Sequence, residues 1–310
     1  MNIIPPSYTI LDNLDRESLA VRIEYCGRVC YKSEDKIDRD SAIPFVGKMA
    51  EHGHNSVLEM GVLTLVVTCS NQVAINEFFA AMPRYLQIDR RDDSSSLLIT
   101  GSVRAFREIF IFQPQSDVVQ AISHFIAQRH PYLYKPLNSK PRECEDISVR
   151  KMELEEVDRL PVDLRVRHRH IAVKFIVNRA VTHEIVRHRP CSFLQESQRY
   201  CRYSDNKFGG EVTFIKPMFF DPESEEYKLW EKAMTETETL YLRLLQTSSP
   251  QAARTVLPNS CKTELIVYAN FVQWQHIFNL RTTPAAEPSM REVMIPLHKE
   301  FINRYPGCFT

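Results

Sequence analysis

The chain has no Cys-x-x-Cys pair among its eight cysteines (Cys26, Cys30, Cys69, Cys144, Cys191, Cys201, Cys261 and Cys308). Its opening "MNIIPPSYTI" carries no secretory-leader pattern. Reduced thiols in a cytoplasmic protein are therefore expected. Net charge is absent too, since 39 basic side chains balance 39 acidic ones. That argues against a protein whose main task is coating nucleic acid or an anionic membrane, but leaves room for a local basic pocket that takes a phosphorylated small molecule. No apolar run approaches the length of a membrane-spanning helix. No internal repeat or low-complexity tract stands out, and no Gly-x-Gly-x-x-Gly follows a strand, so a Rossmann dinucleotide site is not indicated. His52 with His54, and His168 with His170, lack the Cys or carboxylate partners that metal spacing requires. What is present is 310 residues, 44% hydrophobic and 25% charged. That length suits one large or two modest domains whose core needs no disulfide or metal.

Periodicity predicts a mixed α/β (α+β) class, a central sheet flanked by long helices. A first helix is expected over about 15–31, a short one ending near Gly53, and a buried strand over 61–70. Helices are expected at 71–86 and 102–112, with a polar loop at 90–96 and an irregular stretch from 130 to 165. "IAVKFIV" (171–177) reads as a strand, and "NRAVTHEIVRHR" (178–189) as a helix stopped by Pro190. A strand at 211–217 precedes a long helix over about 222–247, whose acidic start suits the helix dipole, and another helix opens near Pro250. "CKTELIVYAN" is compatible with strand or helix, while 270–281 and about 286–303 look helical.

Chemistry concentrates in "VRHRPCSFLQESQRYCRY" (186–203). On a helix, His183 and Arg187 are four apart, as are Glu184 and His188, and Val177, Val181 and Ile185 bury another face. Beyond Pro190 an extended chain would alternate Gln195, Ser197 and Arg199 with Glu196, Gln198 and Tyr200. From 165 to 202 there are eight arginines and one lysine against only Glu184 and Glu196. A solvated basic face or a nucleic-acid contact is the bland explanation of such a run. Serine, glutamine and tyrosine interleaved with planar guanidiniums point instead to a hydrogen-bonding pocket for phosphate and heterocycle edges.

The spacing also carries a resemblance. Arg187-His188-Arg189, seven residues, then Ser197 is similar to the signature of the flavin-dependent thymidylate synthases. The earlier triplet, Arg167-His168-Arg169, fails the spacing, because seven residues on stands Val177 rather than serine. "GRVCYKS" (27–33), "HGHNSVLEM" (52–60) and most of 253–292 also resemble that family. The resemblance implies the family's own non-Rossmann fold and one domain over 1–310, with an atypical insertion at about 70–168 packed on the core. It further implies reductive methylation of dUMP to dTMP, with methylenetetrahydrofolate as carbon donor, FAD as hydride carrier and NADPH as reductant. A homotetramer with sites between subunits would be expected, with no nucleic-acid or membrane partner.

By the same resemblance Ser56, Arg187, His188, Arg189, Asn270 and His276 would contact FAD. The substrate dUMP would be held by Glu184, Arg187, Gln195, Glu196, Ser197, Gln198 and Arg199, with Arg254 on its phosphate. Arg281 would be catalytic, its guanidinium stabilising negative charge that develops on the pyrimidine. Ser197 has no base with a definable partner, so a binding role is expected rather than nucleophilic attack. Val272, Cys30, Ala285, Leu194 and Gln195 depart from residues common in the family. The Pro190-Cys191 dipeptide is similar to that of the cysteine-dependent thymidylate synthases, and an ordinary buried thiol is the competing reading.

Overall fold

Two apolar runs, each too hydrophobic to face water, become the spines of two sheets. A computed structural model describes residues 1–91, 95–205 and 208–310. Its strands are β1 (Asn2–Ile4), β2 (Ser7–Ile10), β3 (Val62–Cys69), β4 (Leu86–Arg90), β5 (Ser96–Ser102), β6 (Ile147–Lys151), β7 (His170–Asn178), β8 (Ser192–Gln195), β9 (Thr213–Ile215) and β10 (Lys262–Asn270). One antiparallel sheet runs β2-β7-β10-β8, a second runs β4-β5-β3-β6, and β1 pairs with β9 in a small parallel ribbon. The architecture is mixed α/β, with several sheets rather than one.

β10 explains why "CKTELIVYAN" resisted assignment. Seven consecutive residues, Thr263–Ala269, are buried, so no period shows in the sequence. The structure separates them by face. Leu265, Val267 and Ala269 join the apolar cluster of the C-terminal helices, Phe271–Arg281 and Pro288–Arg304. Ile266 and Tyr268 join the cluster built around the first helix, Leu19–Tyr31. A strand in mid-sheet with both faces covered has no alternation of apolar and polar residues, and from Leu265 to Ala269 β10 shows none.

β3 was expected as a buried strand over 61–70 and forms as one. The other strands of its sheet, β4, β5 and β6, all come from the central segment about 70–168, so the expected insertion supplies three of this sheet's four strands. Leu97, Ile99, Phe106, Phe110 and Ile122 share one cluster with Ile23, Val46 and Leu65.

Several boundaries differ from the sequence expectations. The helix expected over 71–86 is Gln72–Ala80, because Met82 and Tyr85 take left-handed backbone (φ 45° and 64°) that a helix cannot accommodate. The stretch 130–165 is irregular over 135–146, whereas the helix Pro131–Tyr134, β6 and the helices Leu154–Asp158 and Val162–His168 occupy most of the rest. Their shortness, and the half-exposed edge position of β6, kept the pattern weak. Of the loop expected at 90–96, residues 92–94 lie outside the described residues.

The Arg167-His168-Arg169 triplet joins the two sheets. Arg167 pairs with Asp89 at 2.6 Å, and His168 Nε2 lies 2.8 Å from the other oxygen of the same carboxylate. His168 Nδ1 lies 2.8 Å from Thr100 Oγ1, which lies 2.8 Å from Thr64 Oγ1. With Asp89 ionised against Arg167, the imidazole hydrogen sits on Nε2, and Nδ1 accepts from Thr100. Arg169 holds Asp15 at 2.7 Å and Asp158 at 2.8 Å. The triplet that fails the motif test therefore clasps β4, β5 and the 154–158 helix to β7. Asp15 beside it keeps the Arg169 guanidinium charged despite burial.

Candidate active site

The helix Arg179–Ile185 begins directly after β7, where the Asn178 side chain accepts the Val181 N–H at 2.9 Å. It ends earlier than the 178–189 expectation. His188 Nδ1 turns back onto the Ile185 carbonyl at 2.8 Å, and the residue before Pro190 is disfavoured in helical backbone. Arg187 thus stands in the turn beyond the helix, paired with Glu184 at 2.9 Å.

The end of helix Phe271–Arg281 brings Arg281 to the same place. Its Nη1 donates to the Glu184 carboxylate at 2.9 Å, its Nη2 to the Glu184 carbonyl at 3.1 Å, and its Nε to His188 Nε2 at 3.2 Å. A guanidinium only donates, so His188 accepts at Nε2 and carries its hydrogen on Nδ1. Burial lowers the imidazole's proton affinity, which keeps it neutral. These contacts use three of the five guanidinium N–H groups, leaving one on each terminal nitrogen. His276 is exposed, its ring 6.1 Å from that of His188.

Gln195 closes β8, its amide nitrogen 3.1 Å from Thr182 Oγ1 and 3.2 Å from Thr263 Oγ1. It is thereby tied to the helix that carries Glu184. Glu196 is buried and accepts from Lys262 and from Tyr203, each at 2.9 Å. The Ser197 N–H donates to the Cys30 carbonyl at 2.9 Å. Past Ser197 the chain turns, with the N–H groups of Tyr200 and Cys201 both on the Ser197 carbonyl, so the alternation expected through Tyr200 does not form. Gln198 Nε2 lies 3.6 Å from Cys261 Sγ. Ser197 Oγ accepts the Arg199 N–H at 3.3 Å, and Arg199 Nε donates to Gln251 at 3.3 Å. Arg254 follows Gln251 by one turn and has no side-chain partner among the described residues.

Sequence reasoning missed the charges behind this segment. Glu264 accepts from Lys262 at 2.7 Å and from Lys32 at 2.8 Å. Lys262 and Glu264 stand two apart on β10 and so share a face; that spacing was a readable signal. Burial alone would raise the Glu264 carboxyl, but the two ammonium groups outweigh it and hold it at about 2. A depressed carboxylate stabilises the fold above its ordinary 4.5, and the contribution is lost as pH falls toward 2. Glu264→Gln is therefore expected to cost about 3 kcal/mol at neutral pH and almost nothing near pH 2. Urea unfolding across that pH range measures this; a variant whose deficit does not shrink on acidification would refute the coupling.

A third group lines a cavity of about 690 Å³ between the two sheets. Arg189, Pro190, Cys191 and Asn270 border it from the C-terminal half, and Tyr85, Leu86 and Arg104 from the central segment. Arg189 is exposed, with no side-chain partner among the described residues. Asn270 accepts the Gln273 N–H and donates to the Arg167 carbonyl, each at 2.9 Å. Ser56 is exposed one turn before Glu59, another residue bordering the cavity. Burial pushes the Cys191 thiol up to about 12. Among the departures, Leu194 is a buried core residue opposite Ile266, whereas Val272 and Ala285 are exposed. One protomer thus unites Glu184, Arg187, His188, His276 and Arg281, with Gln195 attached, while Arg189 and Asn270 lie at the cavity.

The fold is mixed α/β, and arginine and histidine side chains converge where the helices Arg179–Ile185 and Phe271–Arg281 end. Comparison with known proteins points to one family. A model of the Thy1 family, "Thymidylate synthase complementing protein", matches residues 165–307, so this C-terminal part of the chain is similar to that family. The flavin-dependent thymidylate synthase of Pyrococcus furiosus is 36% identical over 128 residues, 41% of this chain and 52% of that protein. That of Corynebacterium glutamicum is 31% identical over 149 residues, 43% of this chain and 57% of that protein. The chain spans about half the length of these relatives. The UMP/dUMP methylase PolB from Streptomyces cacaoi, bound with 5-Br dUMP, aligns over 98% of this chain and 93% of its own at 13% identity. Its TM-score of 0.40 is too low to equate the folds.

Proposed function

We propose that this protein is a flavin-dependent thymidylate synthase, forming dTMP from dUMP with methylenetetrahydrofolate, FAD and NADPH. The reading rests on one observation: the Arg187-His188-Arg189 and Ser197 signature lies inside the matched 165–307 segment, and its Arg187 and His188 are held against Glu184 and Arg281. The residues suit the cofactor. An unpartnered Arg189 guanidinium at the mouth of a cavity of about 690 Å³ matches a flat ring with an anionic tail. FAD, when bound, supplies the hydride chemistry, so the protein needs no nucleophile of its own.

The protein's residues bind and polarise. Arg199 and Arg254 offer guanidiniums for the nucleotide phosphate, and the segment Gln195–Gln198 holds the sugar and base. The Arg281 N–H groups left free by Glu184 and His188 face charge developing on the pyrimidine. Ser197 Oγ accepts a backbone N–H and has no base beside it, consistent with a binding role. In the same reading the chain is one domain with a built-in central segment, and subunits of a homotetramer complete its sites.

The decisive experiment is the visible spectrum of the purified protein, followed after anaerobic addition of NADPH and then dUMP. Flavin bands that bleach with NADPH and respond to dUMP are expected, followed by dTMP formation once the folate is supplied. A colourless protein that takes up no FAD, and binds RNA in a salt-sensitive way, would replace this reading with a nucleic-acid-binding module. Cys191→Ala separates the cysteine-dependent alternative. A thiol raised to about 12 is almost wholly protonated at neutral pH. Activity should stay within about twofold of wild type; its loss would point to a thiolate mechanism.

A further inference from the structure

We infer that the central segment supplies a wall of the flavin pocket, with Tyr85 as an aromatic platform that covers the isoalloxazine ring. The inference rests on the functional reading above and adds a residue that the matched segment 165–307 does not contain.

Tyr85 borders the same cavity as Arg189 and Asn270, the two predicted flavin contacts found there. The residue is 73% exposed, although a large aromatic gains most by being covered. Its backbone is left-handed at φ 64°, as is that of Met82 at 45°, in the short link between the helix Gln72–Ala80 and β4. Two non-glycine residues in that region, one of them aromatic, are costly, and such conformations persist where neighbours impose them.

The neighbours are identifiable. Gln113 Nε2 donates to the Ala81 carbonyl at 2.9 Å and pins the start of the link. Leu86 lies over Gly101 so closely that a Cβ there would meet its Cδ2 at 2.3 Å. Gly101 on β5 thus makes room for Leu86, the residue after Tyr85 and another that borders the cavity. Val62, Ala269 and Tyr268 border the same cavity. A flat heteroaromatic ring bound there would meet these apolar and aromatic side chains as well as the Tyr85 phenol, and Arg189 stands free for its anionic tail. Arg104, the other arginine on this wall, is held by Glu59 and Glu108, each at 2.6 Å, so the central segment offers a ring surface rather than a phosphate site.

The test uses the full-length protein and FAD without substrates. Tyr85→Ala is expected to weaken FAD binding at least about tenfold and to raise the fluorescence of the flavin that remains bound, because a stacked phenol quenches it. Tyr85→Phe should keep wild-type affinity. An exposed side chain carries no core packing, so the melting temperature of the FAD-free protein should not move. Wild-type affinity and quenching in Tyr85→Ala would overturn the inference and leave the functional reading intact. Failure of the wild-type protein itself to bind FAD would remove that reading and this one together.

Discussion

Replacing Arg281 with Ala is expected to slow the proposed dTMP formation by about 10²–10³-fold and to leave the melting temperature within a few degrees of wild type. The magnitude follows from its geometry. Arg281 is fixed by the Glu184 carboxylate, the Glu184 carbonyl and His188 before any ligand arrives, so little reorganisation is needed when charge develops. Its side chain is 17% exposed and lies at the end of the helix, so truncation leaves no large cavity. Arg281→Lys should be almost as impaired, since the three N–H groups of an ammonium would all be taken by the Glu184 carboxylate, the Glu184 carbonyl and His188, with none left for a ligand. Rapid-mixing kinetics with the FAD-loaded protein and dUMP separates binding from turnover. Activity of Arg281→Ala within threefold of wild type would remove it from the chemistry, and His188 and Arg187 would become the next candidates.

The second large effect is expected far from any ligand. Arg169→Met should destabilise the protein by about 3–5 kcal/mol, because it leaves Asp15 buried with its closest partner gone. The Asp15 side chain is 3% exposed, and the remaining Arg22 Nε is 3.9 Å from its Oδ1, beyond hydrogen-bonding distance. Arg167→Ala next door is the contrast. That pair is partly solvated, with the arginine 36% exposed, so it should cost no more than about 1 kcal/mol. Urea unfolding of both variants measures the difference. A loss below 1 kcal/mol for Arg169→Met would show that the clasp does not hold the central segment.

The two arginine–histidine triplets show where sequence reasoning reached and where it stopped. Spacing to Ser197 selected Arg187-His188-Arg189, and the structure sets Arg187 and His188 against Glu184 and Arg281 and Arg189 at the cavity. Spacing could also reject Arg167-His168-Arg169 as a motif but could not say what it does. Its partners lie 154 residues away at Asp15, 79 at Asp89 and 68 at Thr100, and nothing in a local window reports such pairs. β7 was legible because β-branched and aromatic residues dominate it. β6 was not, because a short edge strand buries only Ile147 fully.

The sequence by itself determined the mixed α/β class, the identity of the arginine-rich motif and the helices that carry Glu184 and Arg281. These depend on residue type and on spacings of a few residues, which local backbone geometry converts directly into shared faces. Only the tertiary structure decided that the central segment builds most of a sheet around β3, that one triplet clasps the two halves, and that Tyr85 reaches the cavity of Arg189. Those outcomes depend on which distant surfaces bury one another, since an apolar run specifies that it must be covered but not by what.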